Sequence, residues 1–249
     1  MEKNFTKLRL LFLISLFTFS HEYSFALSET NPRLEPKLSS FISNNILHDS
    51  QDSCWKNIFN GENLDGWHLY NSDKSVNWLV EDGIMFSNGG NGDIVTDSEF
   101  ENFELEVEWK IKEGGNSGIF YCVQEDIQYK NVWHTGPEFQ IIDDVNYPAN
   151  LLEKQKTGSC SDVLPPIKLT SHSLGEWNST RIIVFNGNVE HWLNGELVLR
   201  YSMDSQLWKE AVEQSKFSDL DYAKVRKGKI GLQDHGNPIY FRKIRIHEL

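Results

Sequence analysis

Apolar and polar side chains alternate without a slip through one stretch of the chain. Phe103, Leu105, Val107, Trp109 and Ile111 fall on one side, and Glu104, Glu106, Glu108 and Lys110 on the other. A period of two predicts a half-buried strand, apolar toward a core and acidic toward solvent. Shorter runs repeat the theme around turn dipeptides. Trp78, Val80, Ile84 and Phe86 flank Asp82-Gly83, and the runs at 182–185, 189–193 and 197–201 are separated by Asn186-Gly187 and Asn194-Gly195. Asn-Gly and Asp-Gly suit type I′ hairpins because both central residues need positive φ. In the last run, 239–246, Ile239 and Phe241 share one face whereas Arg242, Ile244 and Ile246 fit the other. That register change predicts a bulge near Arg242 and Lys243, which would aim Arg242 into a cleft. Only residues 207–217 show helical spacing, with Leu207, Trp208, Ala211 and Val212 on one face and Asp204 or Ser205 as N-cap. Many short strands with one short helix argue for an all-β sandwich of two antiparallel sheets.

The 249 residues suffice for one large β domain, expected over 55–249. Ahead of it, Lys3, Lys7 and Arg9 precede an apolar stretch at 10–19, and Ser24-Phe25-Ala26 offers small residues where a signal peptidase reads. Residues 1–26 therefore read as a secretory signal, too short for a membrane span, which places the mature chain in the periplasm or outside the cell. No stable membrane insertion is expected once the signal is removed. Residues 27–54, rich in Ser, Asn, Asp and Pro, read as a lead-in or tether. The formal charge is −12, and removing 1–26, with three basic and two acidic side chains, leaves −13. Such a surface repels phosphate backbones, so nucleic acid is excluded as a partner, while neutral sugars are unaffected. Cys54, Cys122 and Cys160 allow one disulfide in an oxidising compartment, its pairing open.

The chemistry-bearing residues cluster in two motifs. Gln233-Asp234-His235-Gly236 puts an amide, a carboxylate and an imidazole in one turn before the last strand. His235 is suited to proton transfer near neutral pH or to metal ligation, with Asp234 orienting the ring. Upstream, Gly136-Pro137-Glu138-Phe139-Gln140 opens another strand, where alternation puts Glu138, Gln140 and Ile142 on one face. Pro137 places the start of that strand at an edge or after a bulge. Asp162 lies in a loop before Pro165-Pro166. His134, beside Trp133, is a second candidate imidazole, whereas His191 shares its strand face with Val189 and Leu193 and fits a hydrogen-bonded core histidine. Tyr121, Trp133 and Trp177 could stack on a sugar ring or serve as core aromatics.

Four further segments complete an ordered set: Phe59-Asn60-Gly61-Glu62-Asn63-Leu64-Asp65-Gly66-Trp67, Asn116-Ser117-Gly118-Ile119-Phe120, Gly175-Glu176-Trp177-Asn178 and Val189-Glu190-His191-Trp192-Leu193-Asn194-Gly195. Taken in order with the two motifs, they resemble the 3-keto-disaccharide hydrolase domain family, also described as 3-keto-glycoside hydrolases or lyases. The resemblance covers about residues 55–249. It implies a concanavalin-like jelly roll acting on an oxidised disaccharide or glycoside. It also implies catalytic roles for His235, Glu138 and Asp162, and substrate contacts from Asn116, Tyr121, His134, Gln140, Trp177, Gln233, Asp234 and Arg242. One divalent metal ion, held by His235, Glu138 and Asp162, would polarise the ketone; no organic cofactor is implied. Ser161 stands where the family commonly has a tyrosine, and Cys122 where an arginine is frequent, so the substrate is left open. A ketone at C3 acidifies the C2 proton, so the expected reaction is proton removal by His235 and β-elimination at C1, with or without hydration. The alternatives are a two-carboxylate glycoside hydrolase using Glu138 and Asp162 and a binding module without turnover.

Overall fold

In the computed structural model, residues 54–249 are described; the expected signal and all but the last residue of the lead-in lie outside them. Strands β1 (Lys56–Asn57), β2 (Trp67–Leu69), β3 (Leu79–Glu81), β4 (Ile84–Ser87), β5 (Ile94–Thr96), β6 (Phe103–Ile111), β7 (Asn116–Val123) and β8 (Glu138–Ile142) occupy the first half. After them come β9 (Asn178–Phe185), β10 (Asn188–Leu193), β11 (Glu196–Ser202), helix α1 (Gln206–Glu213), β12 (Lys229–Leu232) and β13 (Ile239–Glu248). They form two antiparallel sheets of a jelly-roll sandwich. One has eight strands, in the order β11-β10-β9-β6-β13-β4-β3 with β1 also on β13; the other has five, in the order β2-β5-β12-β7-β8.

The alternation in β6 decides which face of the large sheet is inside. Phe103, Leu105, Val107, Trp109 and Ile111 are all buried in the core between the sheets. Each such side chain contributes about 1.5–3 kcal/mol of transfer free energy. On the outer face, Glu104 pairs with Arg181, Glu106 with Arg245, and Glu108 with Arg242 and Lys243. The hairpin dipeptides adopt the expected left-handed geometry: φ is +50° and +76° at Asp82-Gly83, +48° and +75° at Asn186-Gly187, and +52° and +82° at Asn194-Gly195. Helix α1 ends four residues earlier than its spacing suggests. It is capped by Ser205, whose hydroxyl accepts from the Trp208 amide at 3.1 Å.

The five-stranded sheet also has two faces, and the second is not simply solvent-exposed. Ile94, Ile119, Tyr121, Phe139, Ile141, Ile230 and Leu232 point into the main core. Alternation puts Asp93 and Val95, Gly231 and Gln233, Asn116, Gly118 and Phe120, and Glu138, Gln140 and Ile142 on the outer face. There Val95, Phe120, Val123 and Val132 form a small separate apolar cluster. β8 is the edge strand, as Pro137 suggests, and a loop covers its open side. Gln140 N–H donates to Ser159 O (3.2 Å), Gly158 N–H to Gln140 O (2.9 Å) and Ser161 N–H to Glu138 O (3.1 Å). This loop brings Asp162 to the Glu138 end of β8.

Candidate functional site

Across the outer face of the small sheet runs a row of polar positions. Gly231 lies opposite both Val95 and Phe120, and Gly118 opposite Gln140. The next position along β12 therefore aligns Asp93, Gln233, Gly118 and Gln140 side by side, with Gln233 N–H donating to Gly118 O at 3.0 Å. Gly118 is what makes room for an acid. A Cβ built on it would lie 2.1 Å from Glu138 Oε1, so the Glu138 carboxyl rests over bare backbone. Gln140 Nε2 donates to Asn116 Oδ1 (3.3 Å), and Asn116 Nδ2 to the Tyr147 hydroxyl (3.3 Å). The Gln233 Oε1 atom is buried without a protein donor.

Burial sets the electrostatics of this row. Glu138 retains only 7% of its surface, and desolvation pushes its carboxyl up to about 8 against the opposing pull of a Ser161 hydrogen bond and the Lys216 charge. The charges of Asp93 and Asp162 push in the same direction as burial. Asp93 is raised to about 6, chiefly by burial, partly offset by the Asp234 N–H that donates to Asp93 Oδ1 at 2.9 Å. Asp162 sits at the end of the row with φ +61°, a costly conformation for a non-glycine residue. Gln155 Nε2 donates to its Oδ1 at 2.7 Å, and Lys216 forms an ion pair with its Oδ2.

The structure therefore brings together Glu138, Asp162, Gln140, Asn116 and Gln233 from the expected set. Asp93 and Lys216 join them without having been anticipated. The sequence signal for Asp93 was weak: an acid between a Gly-rich turn and a strand of three residues. Lys216, just beyond a helix end, carried none.

Other expected residues stand elsewhere. Tyr121 is a correction: β7 alternation turns it into the core, where its hydroxyl bonds His191 Nε2 at 2.9 Å and also meets the Tyr201 hydroxyl. His191 is fully buried, its Nδ1 bonded to Gly158 O at 3.0 Å, and burial pushes its pKa down to about 4. Arg242 and Trp177 are a second correction. The bulge exists, with a register shift between Arg242 and Arg245 and φ +49° at Lys243. It holds Arg242 on the outer face of the opposite sheet, 2.6 Å from Glu108 and stacked 4.0 Å from the Trp177 ring centre. Asp234 is consumed by structure: its carboxylate accepts from Ser87 Oγ (2.6 Å) and from the amides of Asn91 (2.7 Å), Gly90 (3.0 Å) and Gly236 (2.9 Å). His235 is exposed in the loop beyond the row. His134 follows Trp133 in a turn before β8, edge-on to that ring at 4.5 Å, with its pKa lowered by partial burial and by Lys130.

The metal reading fails on donor placement. Among the described residues no three His, Cys, Asp or Glu side chains converge as a ligand set. His235 lies outside the row, and both oxygens of Asp162 are engaged, so no step is derived through an ion. Cys122 and Cys160 are both buried thiols, pushed up to about 12 and about 11 by burial.

Comparison with known proteins agrees with this fold. A curated protein of Bacteroides thetaiotaomicron named 3-keto-disaccharide hydrolase is 34% identical over 225 residues, 77% of each chain. A solved structure from Parabacteroides distasonis, described as a candidate glycosyl hydrolase, is 38% identical, with a TM-score of 0.74 over 78% of this chain and 94% of its own. A second from the same organism, similarly described, is 28% identical with a TM-score of 0.62, covering 78% of this chain and 99% of its own. Residues 54–247 match the 3-keto-alpha-glucoside-1,2-lyase-like domain, and the chain belongs to that family.

Proposed function

We propose that this chain is a carbohydrate-active enzyme that cleaves the glycosidic bond of 3-keto-glycosides by elimination across C1 and C2. Family membership supports the substrate class. The observation that carries the chemistry is the pair of carboxyl groups on one polar face whose acidities burial separates, Asp93 near 6 and Glu138 near 8. At neutral pH one is a carboxylate and the other an acid, the division of labour an elimination needs.

Asp93 takes the C2 proton, and the electron pair moves onto the C3 ketone oxygen as an enolate. Collapse of the enolate re-forms the ketone, makes the C1–C2 double bond and breaks the C1–O bond; Glu138 supplies its proton to the departing oxygen. Transfer of a proton from Asp93 back to Glu138 restores both groups. Water adding across the new double bond completes a net hydrolysis. Gln233, Gln140 and Asn116 bind ring hydroxyls. His235, the base expected from sequence, is left as a rim residue in this assignment. The basic and then apolar start of the chain supports export as part of the same reading.

The test offers a 3-keto-glucoside and its unoxidised parent to the full protein and to Glu138→Gln, Asp93→Asn and His235→Ala, with products followed by mass spectrometry. The expected result is cleavage of the keto sugar alone, reduced about 10²–10⁴-fold in the first two variants and retained in the third. Sugar binding without turnover of either compound would sink the enzyme reading in favour of a binding module.

A further inference from the structure

The proposed reaction builds negative charge on the C3 oxygen, yet the polar face is lined by carboxyl groups: Asp93, Glu138 and Asp162. An enolate among three acids requires a compensating cation close by. Arg242, the cation expected from sequence, is on the other sheet and already paired. Lys229 points the other way along the small sheet, its ammonium donating to the carbonyls of Thr96 and Asp97 at 2.9 Å each.

Lys216 is placed differently. It follows α1 in a segment held against the sandwich by aromatic stacking. Phe217, the next residue, lies parallel to Tyr222 at 4.3 Å and 1° between planes, and reaches Trp133 at 6.2 Å in the turn that leads into β8. From that anchored base the lysine extends to Asp162, whose backbone neighbour Ser161 bonds the Glu138 carbonyl at 3.1 Å. Asp162 is itself fixed, its amide donating to Lys154 O at 2.8 Å and its Oδ1 held by Gln155 at 2.7 Å. The Lys216 side chain keeps 58% of its surface exposed, and its ammonium has three donors, of which Asp162 takes one.

Resting on the elimination reading above, we propose that Lys216 is the enolate-stabilising residue: tethered by Asp162, its ammonium donates a hydrogen bond to the C3 oxygen of the sugar. No bond to Lys216 forms or breaks. The C2 electron pair moves onto the ketone oxygen, the ammonium holds that charge, and collapse returns the pair to C1–C2 as the C1–O bond breaks. A lysine that served only to staple the 157–164 loop would influence stability and substrate affinity, but not the acidity of the C2 proton.

The experiment therefore measures C2 proton exchange directly. Wild type, Lys216→Ala, Lys216→Arg and Asp162→Asn are incubated in D₂O with a 3-keto-1,5-anhydroglucitol, which has no exocyclic leaving group at C1, and exchange is followed by NMR. Cleavage of a 3-keto-glucoside is measured in parallel. The expected result is that Lys216→Ala lowers both exchange and kcat by about 10²–10³-fold with KM changed less than threefold. Lys216→Arg should recover part of the rate, and added ethylammonium should rescue Lys216→Ala but not wild type. Asp162→Asn should lose less than Lys216→Ala because it removes only the tether. Exchange at the wild-type rate in a folded Lys216→Ala, or a loss confined to KM, overturns the assignment while leaving the elimination reading intact. A wild-type protein that neither exchanges nor cleaves overturns both.

Discussion

The desolvation that holds Glu138 as an acid at neutral pH also destabilises the fold. Its pH dependence has a definite sign. An unfolded glutamate titrates near its ordinary value of 4.5 and the folded one near 8, so between these values the native state holds a proton that the unfolded state has lost. Stability falls as pH rises through that window. Glu138→Gln removes the penalty and should be more stable than wild type at pH 7 by about 3 kcal/mol, converging with it near pH 4 in urea denaturation. For activity, kcat/KM should follow a bell with macroscopic limbs near 6 and 8, the values of the coupled pair of Asp93 and Glu138. Glu138→Gln should lose activity at every pH. A monotonic profile between 5 and 9 would dissociate these two groups from the chemistry.

At the scale of elements, two devices position the row. The first is the match between β7 and β8, where Gly118 leaves a bare strip for the Glu138 carboxyl. Gly118 has no left-handed φ, so space alone demands glycine there. Gly118→Ala should displace Glu138, cost about 1–3 kcal/mol by overpacking and reduce kcat in the same steady-state assay. The second is the clasp between the 87–93 turn and the 234–236 turn. Asp234 gathers three backbone amides and the Ser87 hydroxyl while its own amide fixes Asp93. Asp234→Ala should destabilise the protein by about 2–3 kcal/mol in chemical denaturation, since it leaves several donors without their charged acceptor. His235→Ala, one residue away and exposed, should leave stability unchanged. A motif read from sequence as one catalytic turn thus divides into a structural carboxylate and a rim imidazole.

Over the whole molecule, the stability profile has an acid and an alkaline side with separate causes. His191, buried between the sheets with its pKa depressed to about 4, contributes stability that is lost as pH falls from 6.5 toward 4, because the unfolded histidine binds a proton that the folded one refuses. Above 6.5 that contribution is constant, and the declining term is Glu138. Thermal or urea unfolding from pH 6.5 to 8 should therefore show a loss of roughly 2 kcal/mol that Glu138→Gln flattens. A flat wild-type profile would contradict the burial of the acid. The formal charge of −12 bears on solubility, not on this slope.

Local pattern by itself determined the long strand at 103–111, the three I′ hairpins, the bulge, the short helix and the strand face shared by Glu138 and Gln140. Each depends on a period of two or 3.6, or on dipeptides that tolerate positive φ, and those are properties of neighbouring residues. Tertiary structure alone decided which sheet each strand joined. That assignment turned Tyr121 into the core and kept Arg242 on the far face, because a bulge changes register but cannot move a side chain through a packed sandwich. It also decided that Asp93, far from Glu138 in sequence, would share its face, and that Lys216 would reach Asp162 from beyond the helix. Raised acidities come from desolvation by many side chains at once, a quantity that exists only after the sheets have closed on each other.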